Sequence, residues 1–312
     1  MLRFNGYSHI ISLASVAGAY AYLFAKVLGL RLYLYQYEPH SEYEVDAGTY
    51  EKTSITFKIL NFLEKRSALF ASVISSGTHH MMDRLTGWGV KAQLFRIPSV
   101  VNETKFNFSK NDREEIRIKY GISNDKTVLF YPGKFGGLYF NEETIDMFEV
   151  LLNKDIRFHA LVATPNKLEE IEGYFLKRSI PKNRYTITRA PFSEIQKYNS
   201  AADFAIIAVP PGPSKKFVSN IKVGEYLCSG LPYLICKGVS EDDEYAINYK
   251  VGVVVDDFSK EQIERSYEKI IKLLEPPEAQ RKNYCRQVGI DYRGFTKLNL
   301  EFKKAIAALL NV

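Results

Sequence analysis

Ser219-Asn220-Ile221-Lys222-Val223-Gly224-Glu225-Tyr226-Leu227-Cys228-Ser229-Gly230-Leu231-Pro232-Tyr233-Leu234-Ile235 reads as a short helix set between two buried strands. The segment before it, Asp203-Phe204-Ala205-Ile206-Ile207-Ala208-Val209, is a continuous apolar run of the kind a parallel sheet buries on both faces. Pro210-Pro211-Gly212-Pro213 stops that strand, and a loop with Lys215 and Lys216 follows. Ser219 is the expected N-cap, and Gly230 with Pro232 just beyond is the expected helix stop. Ile221, Gly224 and Cys228 share one side of the helix, where Gly224 is expected to allow a close approach to the sheet. Lys222 and Glu225, one turn apart, share another side.

A helix so placed starts at the carboxyl end of a parallel strand, where open α/β sheets bind ligands. Its first amides, beside Ser219 and Asn220, are open donors, and the helix dipole favours an anion there. Lys222 adds a positive charge, and Glu225 offers two acceptor oxygens suited to a pair of sugar hydroxyls. Phosphates on one and ribose on the other would hold a nucleotide. The spacing alone is equally that of a surface Lys–Glu pair contributing a few tenths of a kcal/mol.

The chain has 312 residues, enough for about two domains, with the 46% hydrophobic and 25% charged content of ordinary globular proteins. Its net charge of +6 suits phosphorylated ligands or an anionic membrane surface. The basic residues are interspersed with acidic ones, which argues against nucleic acid as a partner. The three cysteines, Cys228, Cys236 and Cys285, have neither CxxC nor metal-ligand spacing and fit reduced thiols in a cytoplasmic protein.

At the start, Met1 to Phe4 is expected as a stub of strand and Asn5-Gly6 as a turn. Ser8 to Lys26 is expected as one buried helix ending near Gly29, its apolar run too short for a membrane span. Arg31 to Tyr37 alternates and reads as a strand. The polar loop Glu38-Pro39-His40-Ser41-Glu42-Tyr43 follows it, and strand ends of this kind carry functional side chains. His40 is the acid–base or hydroxyl-binding candidate and Glu42 a companion on the acceptor side; a solvated loop histidine reads the same way. Thr53 to Phe70 is a helix with Ile55, Ile59, Phe62, Leu63 and Leu69 on an apolar stripe. Ser72–Ser75 and Lys91–Ile97 are strands around a helix from Thr78 to Leu85, and adjacent His79 and His80 point apart, so they are not a metal pair.

From Thr127 strands and helices alternate regularly as far as Leu274, which implies a parallel, doubly wound sheet. After its first strand comes Tyr131-Pro132-Gly133-Lys134-Phe135-Gly136-Gly137. Gly133, Gly136 and Gly137 would let the backbone approach a phosphate, with Lys134 supplying charge, although a tight turn without a ligand has the same composition. Arg189-Ala190-Pro191-Phe192 follows the third strand and is expected to line a flat pocket for a nucleobase. Glu241-Asp242-Asp243-Glu244 is read as the solvated first turn of a helix. Pro276-Pro277 breaks the chain before a last helix around Thr296 to Leu310.

Lys222-Val223-Gly224-Glu225-Tyr226-Leu227-Cys228-Ser229-Gly230-Leu231-Pro232 resembles the K-x-x-E-Y-x-x-x-G-x-P signature of GT-B glycosyltransferases of the retaining family-four type. Ile97-Pro98 and Phe106 resemble that family's interdomain segment, with Ser99-Val100 in place of its Asn-Gly. The resemblance implies an α/β fold of two Rossmann-like domains. These would be a partial acceptor-side domain over 1–101, a nucleotide-sugar domain over 102–275, and a helical segment over 276–312 packing back toward the first. It implies that Glu225 grips the ribose, and that Gly133, Lys134, Gly136, Gly137, Arg189, Ser219, Asn220 and Lys222 belong to the donor site. His40 falls near a first-domain histidine that contacts the transferred sugar in some members. Phe217 stands where many relatives carry a second glutamate, and Tyr139 where a second basic residue is common. The first domain is short, as though the chain began mid-domain.

The function this implies is transfer of a hexose from a nucleoside-diphosphate-sugar, with retention and without metal or further cofactor. The acceptor would be a glycan or lipid-linked saccharide in bacterial-type surface polysaccharide synthesis. The enzyme would be cytoplasmic, with peripheral contact at the inner membrane face. The alternatives are a non-catalytic nucleotide-binding or partner subunit, and another GT-B enzyme such as a nucleotide-sugar epimerase.

Overall fold

A computed structural model describes residues 6–36 and 38–311. The strand stub expected over Met1–Phe4, the turn residue Asn5 and the strand end Tyr37 lie outside them. The chain divides into two compact units, one of Met1–Val100, Gly212–Asn220 and Phe295–Val312, the other of Val101–Pro211 and Ile221–Gly294.

The first unit is a four-stranded parallel sheet, β1 (His9–Leu13), β2 (Arg31–Gln36), β3 (Val73–Ser76) and β4 (Gln93–Arg96), in that order. Its helices are α1 (Ser15–Leu28), α2 (His40–Asp46), α3 (Ile55–Phe70) and α4 (His79–Gly87), joined by the last helix of the chain. Alternation along the strands sorts the core. Leu32, Leu34 and Ile74 pack with Ala21, Ala25 and Ala68 on one face, while Tyr33 and Val73 meet Ala305 and Leu309 of the last helix on the other.

Three expectations fail here. The run from Ser8 is a strand and then a helix. Ile10 and Ile11 pair with β2, the Ala14 amide donates to the Tyr35 carbonyl (3.0 Å), and Ala14 turns the chain at φ 70°. An unbroken apolar run carries no period by which to tell the two apart. The polar segment after β2 is the helix α2, because the buried Glu64 carboxylate accepts from the Ser41 amide (3.0 Å) and hydroxyl (2.6 Å). The stripe on α3 faces outward: Ile55 is 75% exposed, and Ile59, Phe62 and Leu69 are exposed with it, while Phe57, Glu64, Ser67 and Ala68 face the core. The α1 helix is only half buried, with Val16, Tyr20, Leu23, Phe24 and Val27 exposed at helical spacing.

In the second unit the strands are β5 (Thr127–Pro132), β6 (Phe158–Ala163), β7 (Tyr185–Thr188), β8 (Phe204–Ile206), β9 (Tyr233–Cys236) and β10 (Gly252–Val255). The helices are α5 (Lys110–Lys119), α6 (Glu142–Lys154), α7 (Leu168–Lys177), α8 (Ile195–Ala201), α9 (Ile221–Cys228), α10 (Asp242–Asn248), α11 (Lys260–Leu274) and α12 (Glu278–Arg293). The final helix, α13 (Phe295–Asn311), belongs to the first unit. All six strands are parallel in the order β10-β9-β8-β5-β6-β7. The order reverses between β5 and β8, the switch point beside which doubly wound sheets leave a crevice. Among the described residues no helix is long and apolar enough to cross a membrane.

Two local readings are corrected. Glu241, Asp242 and Asp243 are buried, not solvated: Asp242 takes an ion pair from Arg293 and a hydrogen bond from the Tyr292 hydroxyl (2.7 Å), and Asp243 accepts from the Gly238 amide (2.7 Å). Gly224 makes its close approach to α12 and Val101 rather than to the sheet. A Cβ there would stand 2.7 Å from Val101 Cγ2 and 2.8 Å from Arg293 Cβ.

Candidate functional site

The site is built on the switch point of the second unit. β5 and β8 are hydrogen-bonded neighbours, and the chain leaves both at the same, carboxyl edge of the sheet. After β5 it forms the glycine loop, and after β8 it returns as α9. Tyr226 fixes α9 against the sheet, its hydroxyl donating to the Ile206 carbonyl (3.2 Å). On its far side α9 meets Gly289, where a Cβ would stand 2.6 Å from the Cys228 amide nitrogen.

The loop is held from both ends. Gly133 continues the ladder, its amide donating to Ala163 (2.9 Å), and a Cβ at this position would collide with the Tyr131 ring at 2.6 Å. The Tyr131 hydroxyl donates to the Lys134 carbonyl, and the Phe135 amide to Asn166 Oδ1 (3.1 Å). Gly136 and Gly137 take left-handed conformations, φ 80° and 65°, where a side chain would be strained. Among the described residues the amides of Lys134, Gly137 and Leu138 make no hydrogen bond. Three amides without acceptors in one glycine loop are available to an anion. The Lys134 side chain itself is exposed.

Lys222 reaches this loop. Its ammonium lies 4.9 Å from the Tyr139 ring centroid and 5.9 Å from that of Tyr131, at cation–π distance. Burial depresses its pKa to about 8, an effect the nearby Glu225 only partly offsets. Glu225 is 6% exposed, and its carboxylate makes no hydrogen bond or ion pair within the described residues. Burial raises it to about 7, against the smaller opposing pull of Lys222 and Lys105. A carboxylate left buried without donors is costly in the free protein and ready for a ligand that supplies them.

Lys105 was not anticipated. Its ammonium sits 4.2 Å over the Phe192 ring and donates to the Phe192 carbonyl (3.3 Å), so the exposed Phe192 and Lys105 form one cation-backed flat surface. Nothing local in the sequence links residues so far apart. Tyr131 was likewise read only as a neighbour, Tyr139 only as a departure and Asn166 not at all, since their roles depend on tertiary contacts.

The structure therefore gathers Gly133, Lys134, Gly136, Gly137, Lys222 and Glu225 at one sheet edge. Arg189 follows β7, two strands from β5, and is exposed. Ser219 lies two residues before the start of α9 at Ile221. Its hydroxyl accepts from the Ser99 amide (2.9 Å), and both Ser219 and Asn220 belong to the first unit. His40 and Glu42 are also in the first unit. His40 Nδ1 lies 3.4 Å from Glu38, whose hydrogen bond raises its pKa despite burial. Glu42 is held bidentate by Arg84, which in turn stacks on Trp88 at 5.0 Å.

No protein family's sequence profile matches the chain, and no curated protein does. Solved structures do. HepE of Anabaena, in complex with UDP, superposes with a TM-score of 0.74 at 13% identity, over 98% of this chain and 80% of that one. Sucrose-phosphate synthase of Thermosynechococcus elongatus gives 0.73 at 15% identity, over 99% and 75%. WaaG, a glycosyltransferase involved in lipopolysaccharide biosynthesis, gives 0.64 at 15% identity, over 93% and 80%. At these identities the likeness is one of fold.

Proposed function

We infer that the chain is built for glycosyl transfer, because its fold is that of GT-B glycosyltransferases, two Rossmann-like α/β units with parallel sheets of four and six strands. We propose that the protein transfers a sugar from a nucleoside-diphosphate donor to a glycan or lipid-linked acceptor, with the donor held by the second unit. The observation that carries this reading is Glu225, a buried carboxylate without donors, one helical turn from Lys222 at the switch point. Two vicinal ribose hydroxyls would supply the missing donors. The diphosphate then falls to the open loop amides, Lys222 and Lys134, which stabilise the charge that develops on the leaving group. Phe192 and Lys105 offer a stacking surface for the base. HepE has been seen with UDP and with UDP-glucose, which supports a nucleotide-sugar as donor.

In this reading the transfer is of a hexosyl group with retention, the diphosphate charge is met by lysines and amides without a metal, and nothing beyond the donor serves as cofactor. The first unit takes the acceptor, with His40 as its candidate contact. Glu42 is committed to Arg84 and orients that region instead. A role in surface polysaccharide synthesis and a cytoplasmic site at the inner membrane face belong to the same proposal. Their support is the outward stripe of Phe24 and Val27 on α1 and of Ile59 and Phe62 on α3. Lys26, Lys58, Lys65 and Arg66 interleave with it, and the one acid of these helices, Glu64, is buried. Apolar area flanked by cations suits an anionic bilayer surface.

The test is nucleoside-diphosphate release from a panel of nucleotide-sugars, UDP-glucose first, with and without lipid-linked saccharide extract. Acceptor-dependent release that Glu225→Ala abolishes supports transfer. Nucleotide binding without release under any acceptor supports the non-catalytic subunit instead.

A further inference from the structure

At the opposite, amino-terminal edge of the second unit's sheet lies a cavity of about 690 Å³, within the range of roughly 300–1,000 Å³ usual for small-molecule sites. It opens between the start of edge strand β10, the end of α10, and the facing sides of α11 and α12. Its walls are apolar: Pro232, Ala246, Val254, Leu273 and Tyr284 among them. Its polar complement is of one sign. Lys250, Lys269, Lys272 and Arg281 line it, and no acidic residue does. The three lysines have no ion-pair partner among the described residues.

Two features here run against stability. Lys269 and Lys272 stand one turn apart on α11, a like-charge pair that weakens a helix. Lys250 holds φ 52°, a left-handed conformation that costs a lysine about 1–2 kcal/mol. Arg281 donates through Nη1 to the Leu274 (2.9 Å) and Pro276 (3.3 Å) carbonyls, while its Nε is buried without a partner. An apolar chamber with an unpaired buried donor and a cationic mouth asks for a ligand with an apolar body and an anionic head.

We propose that this cavity is a binding site for a single-chain amphiphilic anion, an alkyl phosphate being its simplest member. The tail removes the walls from water at about 25 cal/mol per Å², and the head meets the lysines and Arg281. Free phosphate would gain only the exposed mouth, and a two-chain lipid exceeds the volume. This inference does not depend on the nucleotide reading of the opposite edge.

The test is calorimetric titration of the full chain with decyl phosphate below its micellar concentration. The expected result is saturable one-to-one binding, with decanol and inorganic phosphate each at least tenfold weaker. The double variant Lys269→Glu/Lys272→Glu should lose at least tenfold, and Val254→Trp, which fills the chamber, should lose binding with the thermal transition retained. Phe62→Glu, on the exposed stripe of the first unit, should change nothing. The proposal is overturned if the wild type shows no saturable binding, if both cavity variants bind as the wild type does, if the loss appears in Phe62→Glu instead, or if only vesicle-embedded phosphatidate binds.

Discussion

Replacing Glu225 by glutamine should make the ligand-free protein more stable at pH 8 while weakening its hold on a nucleotide. Glutamine keeps the shape and removes the charge. In the fold, burial holds the Glu225 carboxyl near 7 against an ordinary value of 4.5, so between these values the folded state keeps a proton that the unfolded chain has released. The unfolded state thus binds fewer protons, and stability falls as pH rises from 4.5 through 7. At about 1.4 kcal/mol per pH unit, that interval amounts to roughly 3 kcal/mol lost above pH 7. The attraction to Lys222 is already contained in the value near 7, so the expected gain is about 3 kcal/mol. Thermal unfolding of both proteins across pH 4.5–8 measures it. The variant should match the wild type near pH 4.5 and melt higher by about 6–12 °C at pH 8, at roughly 2–4 °C per kcal/mol. Saturating nucleotide should shrink or reverse the difference, because only the wild type gains the full binding contribution. A difference independent of pH, or a variant that melts lower at pH 8 without ligand, would refute the reasoning.

Other outcomes follow from the same geometry. Nucleoside-diphosphate affinity should peak between pH 7 and 8: below, Glu225 takes up a proton, and above, Lys222 loses one. A titration series across pH 5.5–9.5 that shows no maximum in that window would contradict the pairing. Gly289→Ala puts a methyl into the α9 backbone and should cost about 1–3 kcal/mol as overpacking; nucleotide affinity should fall with it, because α9 carries both Lys222 and Glu225. Asp242→Ala leaves Arg293 buried without its counter-ion and should cost about 3–5 kcal/mol by denaturant unfolding. Phe24→Glu with Phe62→Glu should abolish sedimentation with anionic vesicles and leave nucleotide affinity unchanged.

The second unit was largely legible, because its strands and helices alternate with different periods and carry their own stops. The alternation expected from Thr127 as far as Leu274 runs from strand Thr127–Pro132 to helix Lys260–Leu274. The helix Glu278–Arg293 was read only as part of a helical segment over 276–312, because its buried face mixes Cys285, Val288 and Tyr292 with Lys282, Gly289 and Arg293 and so breaks the apolar stripe. The first unit was harder to read. An apolar stripe names a helix but not the direction it faces, and that of α3 faces outward. The buried caps and pairs, Glu64 on α2 and Arg293 on Asp242, join residues far apart in sequence. At the site, Lys222, Glu225 and the glycine loop could be read from spacing and strand ends. Lys105 and the Tyr131–Tyr139 wall could not, since only the folded sheet brings them together. The loop Gly212–Asn220, including Ser219, sits with the first unit although it runs between β8 and α9 of the second.

The most direct measurement is calorimetric titration of UDP, with GDP and ADP beside it, into the wild type and Glu225→Ala at pH 7.5. The expected result is saturable binding of at least one of them, weakened in the variant by about 1–3 kcal/mol, the range for hydrogen bonds to a charged group. Equal affinity in a folded variant, or no nucleotide affinity in the wild type, would mean that the carboxyl edge of the second sheet is not a nucleotide-sugar site.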